Sequence, residues 1–203
     1  MSGPHNYRVD VGTQSIELPL VSVADDLTIA LLICVDHGVA FAEAAGRELS
    51  RLVAPFRPDV VVSVATMGIP LAIEVSRSLG LDDYVILHKT PKIHLGESLA
   101  EPVRSITTDR PQVLRMDPAR IDVIRGRRVA VVDDVVSTGA SCAAALNLVR
   151  RAGAEPVVIG ALVTEGSTWR HALGPDAANV RALGSMPVFR ADPAGQGLVE
   201  DWG

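Results

Sequence analysis

The segment from Arg127 to Ser141 constrains the fold most, because it joins a strand to a helix through two adjacent acids. It reads RRVAVVDDVVSTGAS. The β-branched run before Asp133 predicts a buried strand, and the alanine-rich stretch 140–152 predicts a helix. A strand that enters a helix through a small, hydroxyl-rich turn indicates one βα unit of a parallel sheet.

The junction after this strand has the groups needed to hold an anion beside hydroxyls. A helix N-terminus offers unpaired N–H groups and the positive end of the helix dipole. The carboxylates of Asp133 and Asp134 accept hydrogen bonds from hydroxyls or bind a metal. Ser137 and Thr138 can donate hydrogen bonds, and Gly139 lets the backbone approach a phosphate closely. A ligand with a phosphate beside a diol would satisfy both the helix N-terminus and the two acids. The alternative is that one acid caps the helix and the other is exposed to solvent.

The rest of the chain alternates strand and helix patterns, which predicts an α/β fold with a mostly parallel sheet. Asp36 is predicted to cap the first helix and Gly80 to end the second. The expected elements are a hairpin at 15–23 and 28–35, helices at 37–53 and 70–79, and strands at 59–65, 84–88, 128–132 and 156–163.

The stretch 91–125 interrupts this alternation with several prolines and few helical signals. Segments 103–107 and 112–116 are predicted to pair as a hairpin. A long excursion from a compact α/β domain is often a lid over a site. A solvated hairpin without a role is the alternative.

The composition of the chain argues against some classes of function. The chain has 203 residues and a net charge of −5, which disfavours a general nucleic-acid surface. Cys34 and Cys142 lack metal-ligand spacing and are typical of a reduced, cytoplasmic protein. Neither a secretory signal nor an apolar run of membrane-spanning length is visible, so no membrane partner is expected.

The segment Val131–Ser141 resembles the phosphoribosyl-pyrophosphate (PRPP) signature of type I phosphoribosyltransferases. The resemblance covers roughly residues 28–190 and is closest to the adenine and xanthine branch. It implies an α/β fold in which helices flank a mostly parallel central sheet, with a small hood and a flexible hairpin loop. The implied organisation is a single domain, 1–203, with the hood at 1–36 and 180–203 and the loop at about 93–117.

The resemblance also implies roles for individual residues. The two acids would hold the ribose hydroxyls, and the loop after them the 5′-phosphate. His88 stands where an arginine is common in the family. The implied catalytic residues are Asp133, Asp134 and Lys89, and the same two acids would bind Mg²⁺. The implied PRPP site comprises Thr66, Met67, Gly68, Lys89, Lys92, Asp133, Asp134, Val135, Ser137, Thr138, Gly139, Ala140 and Ser141.

Two further groups complete the implied site. Arg104 and Ser105 fall in the flexible loop. Val35 and Asp36 fall where the hood would contact the base, and Glu165 falls on the opposite wall. Because an ionised carboxylate only accepts hydrogen bonds, Glu165 favours an exocyclic amine over a carbonyl. Each of these assignments has an alternative. The turn at 65–68 could be an ordinary strand-to-helix turn, Lys89 and Lys92 could be exposed lysines without a role, and Glu165 could be a solvated loop residue.

The expected activity is transfer of the phosphoribosyl group from PRPP to a purine, with adenine favoured, in purine salvage. The partners are PRPP and a purine base, and the family suggests a cytoplasmic homodimer. A non-catalytic module that senses PRPP is the first alternative. A response-regulator-like domain is the second, but its paired acids belong on the first strand, whereas here they follow position 128.

Overall fold

The computed structural model describes residues 6–90, 98–103, 112–192, 194–195 and 197–203, and their strands form two five-stranded sheets and one hairpin. The strands are β1 Asn6–Val11, β2 Gln14–Ala24, β3 Leu27–Ala30, β4 Val60–Val64, β5 Tyr84–Leu87, β6 Leu99–Val103, β7 Gln112–Met116, β8 Arg128–Val136, β9 Glu155–Glu165, β10 Val180–Met186, β11 Val188–Ala191 and β12 Leu198–Asp201. The helices are α1 Gly38–Val53, α2 Gly68–Leu79, α3 Ile121–Ile124, α4 Ala140–Arg151 and α5 Thr168–Leu173.

The central sheet is parallel throughout, with strand order β10-β9-β8-β4-β5. Its middle strands are buried on both faces, which explains their continuous β-branched runs. Successive side chains of a strand point to opposite faces. Val60 and Val62 accordingly pack in one core with α4, while Val61 packs in the other with α1 and α2. The predicted α/β fold is confirmed.

The second sheet joins the two ends of the chain. Its order is β1-β2-β3-β11-β12, and its pairs are antiparallel. One face closes the core beneath α1 with buried residues such as Val11, Leu18 and Phe189. The hairpin expected at 15–23 and 28–35 is present as β2 and β3, with β3 ending at Ala30. Strand β1 was not expected from the sequence.

Two helix boundaries test the capping predictions. Gly80 ends α2 in the left-handed conformation, with φ 71°, as expected. The prediction that Asp36 caps the first helix is wrong. Asp36 lies inside a 3₁₀ turn, Cys34–His37, and α1 begins after that turn at Gly38.

Two strands differ from their predicted bounds. Strand β8 continues to Val136, so the acid pair lies within the strand instead of after it. In the hairpin, Leu99–Val103 pairs with Gln112–Met116. The first strand was expected at 103–107, of which 104–107 lie outside the described residues. None of the helices in the described parts of the chain is long and apolar enough to cross a membrane.

A close backbone contact joins the two sheets. A Cβ at Gly184 in β10 would lie 2.0 Å from the carbonyl oxygen of Asp10 in β1. The amide of Gly12 next to β1 donates to the carbonyl of Leu183, at 3.1 Å. The second sheet can therefore pack this closely against the central sheet only because residue 184 is a glycine.

Gly184→Ala is expected to destabilise the protein, because the added methyl group pushes β1 away from β10. Overpacking of this kind costs about 1–3 kcal/mol, and each kcal/mol lowers the Tm by about 2–4 °C at this size. Thermal unfolding of Gly184→Ala beside Ser185→Ala, an exposed neighbour on the same strand, measures the effect. Equal Tm values for the two variants would contradict the contact.

Candidate active site

A cavity of about 190 Å³ opens at the carboxyl ends of β4 and β8. These strands are neighbours, yet the helices that follow them, α2 and α4, pack on opposite faces of the sheet. Ligands of open α/β sheets bind at such a switch point. We call this the phosphate cavity; its lining residues are Val64, Ala65, Thr66, Met67, Lys89, Asp133, Asp134, Val135, Val136, Ser137, Thr138, Gly139, Ala140, Ser141 and Cys142.

The acid pair is largely withdrawn from water at the edge of this cavity. Asp133 is buried, and its Oδ1 accepts a hydrogen bond from the amide of Asp134, at 3.1 Å. Burial raises the pKa of Asp133 well above its usual range, and the charge of Asp134 raises it further. Burial also raises the pKa of Asp134, whereas the ammonium group of Lys89 lowers both. Ionisation of the pair is therefore unfavourable in the free protein, and a cation or hydroxyl donors in the cavity would stabilise the charged form.

The turn after β4 fits closely against the acid pair. It contains a cis peptide bond between Ala65 and Thr66. A Cβ at Gly68 would lie 2.1 Å from Ser63 Oγ and 3.3 Å from Asp133 Oδ1. Ser63 is itself fixed, since its hydroxyl donates to the carbonyl of Val132 at 2.7 Å. Gly68 thus lets the turn approach Asp133, although Gly68 is not among the residues that line the cavity.

The loop before α4 packs against α5. Gly139 has φ 78°, and a Cβ there would lie 3.1 Å from the backbone of Trp169. The hydroxyl of Thr168 donates to the carbonyl of Ser137 at 3.3 Å. This support directs the N-terminus of α4 at the phosphate cavity, where its free N–H groups can bind an anion.

A second cavity, of about 340 Å³, shares Ser137 and Thr138 with the phosphate cavity. We call it the hairpin cavity, because most of its wall comes from the β2–β3 hairpin. Its lining combines apolar side chains with one carboxylate. The residues are Val23, Ala24, Leu27, Ile29, Ser137, Thr138 and Glu165.

Glu165 ends β9 and is only 4 % exposed. Its Oε2 accepts a hydrogen bond of 2.5 Å from the hydroxyl of Ser137. No donor among the described residues contacts its Oε1. Burial raises the pKa of Glu165, and the hydrogen bond from Ser137 offsets part of that rise. A buried acceptor without a partner is unfavourable in the free protein.

The other predicted site residues lie elsewhere. Val35 lines a separate apolar cavity of about 290 Å³ between α1 and α2. Asp36 is exposed in the 3₁₀ turn. Neither residue is among those lining the phosphate or hairpin cavity. Lys92, Arg104 and Ser105 lie outside the described residues.

Several lining residues were missed by the sequence prediction. In the phosphate cavity these are Val64, Val136 and Cys142. In the hairpin cavity they are Val23, Ala24, Leu27 and Ile29. The spacing of Val23, Leu27 and Ile29 places them on one face of a hairpin and could have indicated a shared wall.

The acid pair can serve as part of a magnesium site. Within the described residues, His, Cys, Asp and Glu form no group of three or more that could enclose a metal. A cation held by Asp133 and Asp134 alone would take its other ligands from a bound ligand and water. Mg²⁺ is usually bound in this way, through one or two carboxylates and phosphate oxygens.

Comparisons with known proteins agree with this geometry. Residues 36–188 match the family model described as the phosphoribosyl transferase domain. The chain belongs to this family, which confirms the resemblance drawn from Val131–Ser141.

The names of the curated relatives refer to different bases. An orotate phosphoribosyltransferase of Caldanaerobacter subterraneus is 31% identical over 61% of this chain and 53% of its own length. A xanthine phosphoribosyltransferase of Laribacter hongkongensis is 30% identical over 64% of each chain. The chain thus spans about half to two thirds of the length of these relatives.

A solved structure shows the same fold. The adenine phosphoribosyltransferase of Giardia lamblia, in complex with 9-deazaadenine, superposes with a TM-score of 0.66 at 18% identity. The match covers 82% of this chain and 92% of the other. At that identity the similarity concerns the fold alone.

Asp133→Asn is expected to stabilise the ligand-free protein, because it removes a buried charge beside Asp134. Because folding raises the pKa of Asp133, the folded state still binds a proton at pH values above 3.8, where the unfolded state has lost it. The free energy of unfolding of the wild type therefore falls as pH rises from 3.8 through the raised pKa of the folded state. Thermal unfolding should show a Tm gain of about 2–4 °C at about pH 8 that disappears near about pH 4. A gain that does not depend on pH, or a loss at about pH 8, would contradict this electrostatic origin.

Proposed function

We propose that the chain transfers the 5-phosphoribosyl group of PRPP to a purine base, with adenine favoured, and releases pyrophosphate in purine salvage. One observation carries this proposal: a polar cavity with two acids and a helix N-terminus shares Ser137 and Thr138 with a mainly apolar second cavity. A phosphorylated sugar in the first cavity would meet a base in the second at these two residues.

PRPP would occupy the phosphate cavity with its two anionic ends apart. The loop from Ser137 to Ser141 and the first amides of α4 would bind the 5′-phosphate. Asp133 and Asp134 would accept hydrogen bonds from the ribose hydroxyls. The turn at 65–68 and the ammonium group of Lys89 would bind the diphosphate, and we propose Lys92 as a second cation there.

The chain would promote reaction by orientation and by charge. In the transfer, a purine nitrogen forms a bond to C1 of the ribose as the bond from C1 to the pyrophosphate oxygen breaks. Negative charge then grows on the leaving group, where Lys89 and the amides of the 65–68 turn would stabilise it. Bound Mg²⁺ would supply further positive charge to the diphosphate. Asp133 and Asp134 would stabilise the positive charge that develops on the ribose ring.

The base would occupy the hairpin cavity. Val23, Leu27 and Ile29 offer apolar contact to a planar ring, and Glu165 offers a hydrogen-bond acceptor. An exocyclic amine satisfies that acceptor and a carbonyl does not, which favours adenine. The sheet of β1–β3, β11 and β12 would then act as a hood. We further propose, from the family, a single-domain cytoplasmic homodimer.

A module that binds PRPP without catalysis is the second candidate. His88, where an arginine is common in the family, favours it, because the change alters the positive charge beside the diphosphate. Such a module would keep the acid pair and the loop of 137–141 intact.

The proposal predicts that the protein releases pyrophosphate from PRPP when Mg²⁺ and adenine are present. A coupled pyrophosphate assay across adenine, hypoxanthine, guanine, xanthine, orotate and uracil tests it. PRPP binding by calorimetry with turnover of none of the bases would favour the sensing module. Absence of PRPP binding would contradict both candidates.

Asp134→Asn and Thr138→Ala should each weaken PRPP binding by about tenfold or more, since each removes a partner of a charged or hydroxyl-rich ligand. Isothermal calorimetry with PRPP and Mg²⁺ measures the change. Glu43→Gln, an exposed glutamate on α1 paired with Arg47, is the matched control. Unchanged affinity in both site variants would refute the assignment.

A further inference from the structure

The β6–β7 hairpin is fixed to one face of α4 by hydrogen bonds to Glu101 and to its neighbour Ala100. Asn147 Nδ2 donates to Oε1 of Glu101 at 3.1 Å, and Arg151 Nη1 donates to Oε2 at 2.8 Å. The same Arg151 nitrogen donates to the carbonyl of Ala100 at 2.7 Å. Asn147 and Arg151 lie one helical turn apart, so they share a face of α4. We call these contacts the hairpin anchor.

Apolar packing alone would not fix the position of the hairpin along α4. Val103, Leu114 and Met116 of the hairpin are buried in the core that contains α4. Burial of apolar area is non-directional, so it holds the two elements together without selecting one register. A cavity of about 650 Å³ between β6, α4 and α5 leaves room for the hairpin to shift. The hairpin anchor selects the register, because its donors and acceptors have fixed places on the helix and the strand.

A row of backbone contacts leads from the hairpin anchor to the phosphate cavity. Ala100 faces Arg115 across the hairpin. Arg115 in turn exchanges two backbone hydrogen bonds with His88, both of 2.9 Å. Lys89 follows His88 directly and lines the phosphate cavity, where its ammonium group lowers the pKa of both acids of the pair. A shift of the hairpin on α4 would therefore move the backbone from which Lys89 projects.

We infer that Glu101 is a positioning residue of the diphosphate site, because it fixes the hairpin on α4 and thereby sets where Lys89 meets the diphosphate. The inference rests on the proposed function, since it takes Lys89 as a cation that binds the diphosphate. The 5′-phosphate would contact α4 and the loop before it, without help from the hairpin. Loss of Glu101 should therefore weaken the binding of one end of PRPP and spare the other.

Isothermal calorimetry with Mg²⁺ and either pyrophosphate or ribose 5-phosphate tests the inference without requiring turnover. Glu101→Ala should weaken pyrophosphate binding about fivefold, because Lys89 loses its alignment with a charged ligand. Ribose 5-phosphate affinity should change by less than about twofold. Arg151→Ala removes the hairpin anchor from the helix side and should give the same result. An equal loss for the two ligands, or unchanged pyrophosphate affinity in both variants, would overturn the inference.

Arg150→Ala is the matched control. Arg150 precedes Arg151 on α4, and its Nη2 pairs with Oδ1 of Asp176 at 2.7 Å instead of with the hairpin. The two arginine side chains are similarly exposed, at 45 % and 47 %. The control thus loses a comparable ion pair from the same helix, and it should bind both ligands as the wild type does. A loss of pyrophosphate affinity as large as that of Arg151→Ala would overturn the inference.

A double-mutant cycle distinguishes positioning from a general structural role. Lys89→Ala should weaken pyrophosphate binding about tenfold or more. Adding Glu101→Ala to that variant should have no further effect, because the cation that Glu101 positions is absent. A further loss equal to that of Glu101→Ala alone would show that Glu101 acts by another route and would overturn the inference. Unchanged pyrophosphate binding in Lys89→Ala would overturn it as well.

The outcomes separate this inference from the proposed function. If the wild type binds PRPP and pyrophosphate but Glu101→Ala binds them equally well, the inference fails and the proposed function stands. Failure of the wild type to bind either ligand would contradict both. The expected split in affinities, with turnover of none of the bases, would support the inference and favour the sensing module. Circular dichroism checks the fold of each variant, and if Glu101→Ala does not fold, Arg151→Ala decides by the same criteria.

Discussion

The acid pair near the carboxyl end of β8, largely withdrawn from water, is the feature on which the rest of the site depends. A carboxylate withdrawn from water is stable only if its surroundings supply donors or positive charge. The protein supplies the Asp134 amide and Lys89 but leaves both acids with raised pKa values. The turn after β4 can approach them only because residue 68 is a glycine. Packing and charge are thus arranged around groups that a ligand would stabilise better than the free protein does.

The loop of 137–141 connects this charged site to a second, mainly apolar one. Its backbone conformation depends on Gly139 and on support from α5, and its first residue hydrogen-bonds to Glu165 at the end of β9. The wall facing Glu165 comes from a sheet built by the two ends of the chain. Under the proposed function, two substrates of different polarity would therefore meet at one short loop between a strand and a helix.

The central sheet and the phosphate cavity were predictable because their signals are local. A β-branched run, an acid pair and an Ser-Thr-Gly turn occupy consecutive positions in the sequence. The hairpin cavity was not predictable in the same way, because its wall depends on how β2 and β3 fold over β9, far away in the chain. Val35 and Asp36 were assigned by analogy of position, but the 3₁₀ turn before α1 places Val35 beside α2 instead. The prediction that Asp36 caps α1 was wrong for the same reason, because Asp36 lies inside this 3₁₀ turn and α1 begins only after it.

The two cavities share a thermodynamic property that links stability to binding. Asp133, Asp134 and Glu165 all have pKa values raised by burial, so ionisation of each one opposes folding. Sites of this kind trade stability for a preorganised arrangement of charge. Cations and hydroxyls would stabilise the ionised acid pair, whereas a hydrogen-bond donor would stabilise ionised Glu165. Because these groups differ, filling one cavity leaves the unfavourable charge of the other in place, and under the proposed function a sugar phosphate and a base would together satisfy both.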